Sequence, residues 1–168
     1  MRIIGIMLIA AAAVYGGVSY TALKREQLNE LEALCHMLRL MQDELETRAL
    51  PLPELAAQLE ERTENAGKAL LSGLLRRLPV LGSQNFQSIW EECVTESVKH
   101  SEEAARLLCT LGSFLGRYDV DSQLEAIRSC RETLEKLRTT AAEALPQTRR
   151  LGMGLALTSG ALIVITLI

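Results

Sequence analysis

Residues 3–23 and 151–168 carry no charged side chain, and every acid in the chain lies between them. This constrains the fold more than any other feature. Two such segments must either be buried together or lie in lipid. At about 1.5 Å of rise per residue, a helix over Ile3–Leu23 is about 31 Å long, enough for a hydrocarbon core. A helix over Leu151–Ile168 is about 27 Å long, near the lower limit. In lipid, only a helix satisfies the backbone of such a segment internally. The sequence therefore predicts an N-terminal membrane helix over 1–23, a soluble middle over 24–150 and a C-terminal membrane helix over 151–168. A cleaved signal peptide is the competing reading of the first segment, since Arg2 and Ala10–Ala13 fit that pattern. Against it, the apolar stretch runs well past the alanines, and Lys24-Arg25 reads as a membrane boundary. For the last segment the competing reading is a core helix. Its few polar residues, Thr158, Ser159 and Thr166, give it no polar face.

Charge placement sets the orientation. Lys24, Arg25, Arg149 and Arg150 flank the inner sides of the two segments, and Arg2 alone lies on the outer side. Basic residues near membrane ends favour the cytoplasm, so the middle is expected there, with both termini across the membrane. Residues 24–150 hold all 21 acids and 17 of the 18 bases, a formal charge of −4. Without the four flanking bases, residues 26–148 stand at −8. Gly152, Ala156 and Gly160 recur every fourth residue in the last segment, as do Ala12/Gly16 and Ala13/Gly17 in the first. Small residues at this interval allow close helix packing in lipid, although they are also common in membrane helices generally.

The middle reads as all-α. Leu31, Leu34, Cys35, Leu38, Met41 and Leu45 alternate by threes and fours, a helix stripe. No Pro or Gly interrupts residues 18–50, which predicts one rod from the first segment to about Thr47. Pro51-Leu52-Pro53 ends it, and Pro53 suits the first turn of a second helix carrying Leu55, Ala56 and Leu59. Gly67 is expected to divide that helix from a third with Leu70, Leu71, Leu74, Leu75 and Leu78. A loop over 79–85 precedes the stripe Phe86, Ile89, Trp90, Cys93, Val94. Ser101 is a suitable N-cap for a fifth helix, with Glu102 and Glu103 in its first turn and Gly116 at its end. Asp119 or Asp121 caps the last helix, and Pro146 is expected to kink it. The expectation is a bundle of about six helices bracketed by two membrane spans.

Catalytic and cofactor signals are missing. No phosphate-loop or dinucleotide-binding glycine motif occurs. His36 and His100 read as partly exposed surface positions. Cys35, Cys93, Cys109 and Cys130 form no C-x-x-C and lie on or beside apolar stripes, as buried thiols of a reducing compartment do. The neighbouring acid pairs fall on polar faces, not across a cleft. The expectation is no enzyme activity, no cofactor, no metal and no nucleic-acid partner. The candidate interaction or structural residues are Glu44, beside the core stripe; Pro51; Arg76-Arg77, which can meet an acidic partner or simply close their helix; Trp90; Gly112; Gly116; and Asp119. Glu44 reads either as a surface acid or as an ion-pair residue.

The order of these pieces resembles the stage III sporulation protein AB family. Leu38, Met41, Glu44 and Leu45 are followed by Pro51-Leu52, then Trp90-Glu91. The most specific stretch is Leu111-Gly112-x-x-Leu115-Gly116-x-x-Asp119, followed by Gln123, Ile127 and Leu134-Glu135, with Leu151-Gly152 opening the last segment. The resemblance implies a non-enzymatic component of the channel, or feeding-tube, complex between mother cell and forespore. Such a component is similar to the inner-membrane platform proteins of type II secretion and type IV pilus systems. It further implies a two-pass protein in the mother-cell-side membrane around the forespore. The implied partners are the complex's cytoplasmic ATPase, which is similar to stage III sporulation protein AA, other complex subunits, the lipid bilayer and a second copy of the chain. A membrane-tethered helical adaptor, chaperone or signalling scaffold is the alternative class, and would present an exposed apolar client groove.

Overall fold

The computed structural model describes residues 2–48, 50–80, 85–115 and 119–167, with side chains at 19, 21–48, 50–79, 85–115 and 119–145. They form an all-α bundle of six helices: α1 (Arg2–Arg48), α2 (Leu52–Arg62), α3 (Asn65–Arg77), α4 (Phe86–Ser97), α5 (Glu102–Gly112) and α6 (Val120–Leu167). A short 3₁₀ turn, Leu78–Val80, follows α3. Among the described residues no strand occurs. Two compact units make up the chain. One is Met1–Glu26 with Thr140–Ile168, and the other is Gln27–Thr139. Among the residues whose side chains are described, no helix is long and apolar enough to cross a membrane. Helix α1 runs unbroken for 47 residues, as the absence of Pro and Gly after Gly17 predicted. Helix α6 runs for 48 residues and continues through Pro146, where a kink was expected.

In the Gln27–Thr139 unit, the second half of α1 is the central element. Leu31, Leu34, Cys35, Leu38, Met41 and Leu45 are all buried, as their spacing predicted, and Met37 joins them. Burying each side chain of this size is worth roughly 1.5–3 kcal/mol before entropy is subtracted. Met37 is buried because α3 comes close. A Cβ on Gly67 would lie 3.1 Å from the Ala33 carbonyl oxygen and 3.2 Å from Met37 Cβ. Gly67 therefore does not divide two helices. It lies inside α3 at the point where that helix approaches α1. The break falls earlier, at Thr63 and Glu64, where the backbone is extended. Thr63 is buried there, and its hydroxyl donates to the Leu59 carbonyl at 2.8 Å. Asn65 then starts α3 at φ 50°, a left-handed conformation that Asn tolerates better than most residues.

Caps account for most of the remaining boundaries. Pro51 is the N-cap residue of α2, with Pro53 in the first turn. Asn85 caps α4, its side chain accepting from Gln87 N. Ser101 caps α5, its Oγ accepting from Ala104 N at 3.3 Å, and Glu102 and Glu103 occupy the first turn as expected. Helix α5 ends at Gly112, short of Gly116, which lies outside the described residues.

Candidate functional site

The bundle is held by a few polar and close-packed junctions. The least expected is at Glu30 on α1, only 6% exposed. Its carboxylate accepts from the backbone N–H of Lys99 at 2.8 Å and of His100 at 3.1 Å, in the segment between α4 and α5. A buried acid is tolerated when its oxygens are hydrogen-bonded. Sequence reasoning missed this residue. The signal was present, since Glu30, Leu34, Met37 and Met41 share one three-four stripe.

Trp90 and Gly112 meet between α4 and α5. The indole is fully buried, and its N–H donates to the Leu108 carbonyl at 2.6 Å. A Cβ at Gly112 would lie 2.9 Å from Trp90 Cγ and 3.0 Å from Nε1, so only glycine fits. Phe86 tilts against the same indole with ring centroids 6.1 Å apart. Arg77, at the end of α3, reaches Glu96 at 2.5 Å and Glu92 at 3.6 Å on α4. The Glu96 hydrogen bond holds its guanidinium pKa above the usual value. Arg76 is exposed.

Glu44 is an ion-pair residue, its side chain 14% exposed. It accepts from Arg62 Nη1 on α2 at 2.6 Å, with Arg48 Nε at 3.9 Å. Asp119 caps α6. Its carboxylate accepts from Ser122 N at 3.2 Å and from the Ser122 hydroxyl at 2.8 Å, and these bonds lower its pKa. The proposed packing of Gly152, Ala156 and Gly160 lies outside the residues whose side chains are described. The structure thus brings Trp90 and Gly112 together and leaves Glu44, Arg77 and Asp119 at separate junctions.

Between α1 and α6, Arg128 lies 3.4 Å from Glu46, and Arg138 lies 3.7 Å from Glu32. Glu135, next to Arg138, is held below its ordinary carboxylate pKa by that guanidinium. Cys35, Cys93 and Cys130 are buried, Cys109 is half-buried, and all four are free thiols. Burial pushes Cys35 and Cys130 up to about 12. Such thiols are poor nucleophiles at neutral pH. Among the described residues, no group of three His, Cys, Asp or Glu is placed to hold a metal ion.

The surface cavities of this unit include two lined by described residues. The larger, about 610 Å³, is a groove between α5 and α6. Leu107 and Leu111 of α5 and Phe114 in the turn after it form one wall, and α6 contributes mainly small side chains. The smaller, about 300 Å³, is polar and lies where Glu32 and His36 of α1 face Arg62, Glu64 and Asn65.

Comparison with known proteins agrees with this architecture. The family model described as stage III sporulation protein AB matches residues 2–168. A solved structure of a stage III sporulation protein AB superposes with a TM-score of 0.63 at 21% identity, over 72% of this chain and 97% of that one. At that identity the likeness shows the fold. No curated protein matches the chain.

Proposed function

Because the chain belongs to the stage III sporulation protein AB family, and so has a role in sporulation, we propose that it is a non-enzymatic membrane platform of the mother cell–forespore channel complex. In this reading the apolar ends are two membrane spans, the Gln27–Thr139 bundle is cytoplasmic, and a secretion-type ATPase docks on the bundle. The observation that carries it is continuity. Helices α1 and α6 each join an uncharged apolar end to the bundle without a break. The two ends also share one compact unit, as a hairpin of two spans requires. Charge supports the orientation, because four of the five bases that flank the apolar segments lie on the bundle's side of them in the sequence.

A platform of this kind performs no chemistry. It holds a docking surface rigidly over the membrane and passes the partner's movement to the spans. The polar junctions at Glu30, Arg77 and Glu44 suit that task, since each ties one helix to another part of the bundle. The test is binding of the full-length protein, in membranes, to the cytoplasmic ATPase of the same complex. Specific binding, together with a block in spore formation after engulfment when the gene is deleted, is the expected result. Loss of spores without any ATPase binding would instead favour a tethered adaptor.

A further inference from the structure

The groove between α5 and α6, about 610 Å³, is an open depression on the surface of the bundle. Its α6 wall carries Ser122, Ala126, Ser129 and Thr133, at steps of four, three and four. The facing wall carries Leu107 of α5 and Phe114 in the turn that follows it, with Leu111 buried behind them. The α6 wall is thus one helix face with the row spacing that admits the ridge of another helix. From Ser122 to Thr133 the groove runs about 16 Å at 1.5 Å per residue, the length of three helical turns. In the Gln27–Thr139 unit, the exposed large hydrophobic residues among those described are Phe114, at 38%, and Val120, at 40%. Phe114 lines the groove, and Val120 lies two residues before its first α6 residue.

Charge narrows the occupant. Glu125 is the charged residue in the lining, and its side chain is 77% exposed. Its contact with Arg128 is 3.9 Å long, and Arg128 lies nearer Glu46, at 3.4 Å. The surrounding body, residues 26–148, has a formal charge of −8. A second copy would bring the same acidic charge to this face, whereas a basic segment would neutralise it. We propose that the α5–α6 groove receives an amphipathic helix of about three turns from a partner protein, with its apolar face against Leu107 and Phe114 and a basic flank against Glu125. The helix-in-groove mode requires an apolar trough with a charged rim, as here. This goes beyond the platform role, because it holds whichever protein of the complex supplies the helix.

The test uses the full-length chain in sporulating cells, with a photocrosslinking amino acid at Ser129 and, as a control, at Glu61. Crosslinked peptides are sequenced by mass spectrometry. The expected product at Ser129 is a peptide of another protein, with apolar residues at three-four spacing flanked by Lys or Arg. Glu125→Lys and Ala126→Leu, which reverses the rim charge and fills the trough, should each reduce that product roughly tenfold, the scale of a central interface residue. The Glu61 product should not respond. A synthetic 18-residue helix with a Leu/Ala face and Lys flanks should bind the purified chain in detergent, and the same peptide with Glu flanks should bind at least about tenfold more weakly. Unchanged thermal unfolding shows that the variants fold; if Ala126→Leu fails to accumulate, Glu125→Lys decides. A Ser129 product made only with a second copy of this chain, or only with lipid, overturns the proposal. So does no Ser129 product from normally accumulated protein, or a product indifferent to both substitutions.

Discussion

Gly112 on α5 lies so close to Trp90 on α4 that a methyl group on its Cα would come within 2.9 Å of the indole Cγ. The indole cannot retreat, because its N–H is fixed on the Leu108 carbonyl at 2.6 Å. Gly112→Ala must therefore push α5 away or break that hydrogen bond. Overpacking of this kind costs about 1–3 kcal/mol. Trp90→Phe keeps a ring but leaves the Leu108 carbonyl without its donor, costing about 1–3 kcal/mol on that account. Thermal or urea unfolding of the full chain in detergent measures both. Wild-type stability in Gly112→Ala would show that the two helices separate freely.

The Glu30 carboxylate ties α1 to the segment joining α4 and α5. Glu30→Ala takes the acceptor from two backbone N–H groups and should destabilise by about 2–5 kcal/mol. Glu30→Gln keeps one acceptor oxygen and should lose less. Hydrogen exchange at the Lys99 and His100 amides is the specific readout. Both should exchange faster in Glu30→Ala, by a larger factor than amides in the middle of α3. Equal acceleration everywhere would mean a general loss of stability and no local tie.

Sequence pattern made the helices legible because most of them bury a simple three-four stripe. Leu31 to Leu45 on α1, Leu55 to Leu59 on α2 and Ile89 to Val94 on α4 are buried as their spacing implied. Caps were equally local, and Ser101 and Asp119 make the bonds their residue types offer. What pattern could not give was the cost of close approach. Gly67 and Gly112 look alike in sequence to a helix breaker, yet each sits where its helix approaches a neighbour far away in the chain, Ala33 and Trp90 respectively. The role of Glu30 depends on a segment 69 residues distant. The α5–α6 groove was illegible for the same reason, since it exists only once both helices are in place.

Cys35 and Cys130 make the fold sensitive to alkali. The ordinary thiol value is 9.0, and burial raises both to about 12. Between those values the unfolded chain has lost protons that the folded chain keeps. Stability is therefore constant below about pH 9 on this account and falls as pH rises toward 12. The urea midpoint of the wild type should decline more steeply from about pH 8.5 to about pH 10.5 than that of Cys130→Ala. Parallel slopes would mean that Cys130 ionises in the folded chain as readily as in the unfolded one. Maleimide labelling at neutral pH gives a second readout, with Cys109 modified ahead of Cys35 and Cys130.

Arg77 joins the end of α3 to α4 through Glu96 and Glu92. Its side chain is 27% exposed and both carboxylates are more than half exposed, so solvent screens these pairs and keeps their worth small. Arg77→Lys loses the planar fork that serves two carboxylates at once and should recover only part of the stability lost in Arg77→Ala. Raising the salt concentration should narrow the gap between wild type and Arg77→Ala. A gap independent of salt would place the effect in the packing of the arginine stem beside Cys93 and Gly73.

The platform reading makes its sharpest demand on the helices that leave the bundle. Inserting two residues into an α-helix rotates everything beyond the insertion by about 200° and lengthens it by about 3 Å. Gly-Gly also weakens the helix locally, by about 1 kcal/mol per glycine relative to alanine. Placed between Glu26 and Gln27, or between Thr139 and Thr140, the insertion falls at the boundary between the two compact units. Neither site interrupts the stripe that packs the bundle, so the Gln27–Thr139 unit should still fold and bind its partner. Spore formation should fall with either insertion, because movement of the bundle no longer reaches the spans in register. An Ala-Ala insertion separates the two causes. It keeps the helix stiff but turns it, so a defect equal to that of Gly-Gly assigns the effect to register, and a milder one assigns it to stiffness. Full spore yield with Gly-Gly at both sites at once would mean that the helices serve as anchors and transmit nothing.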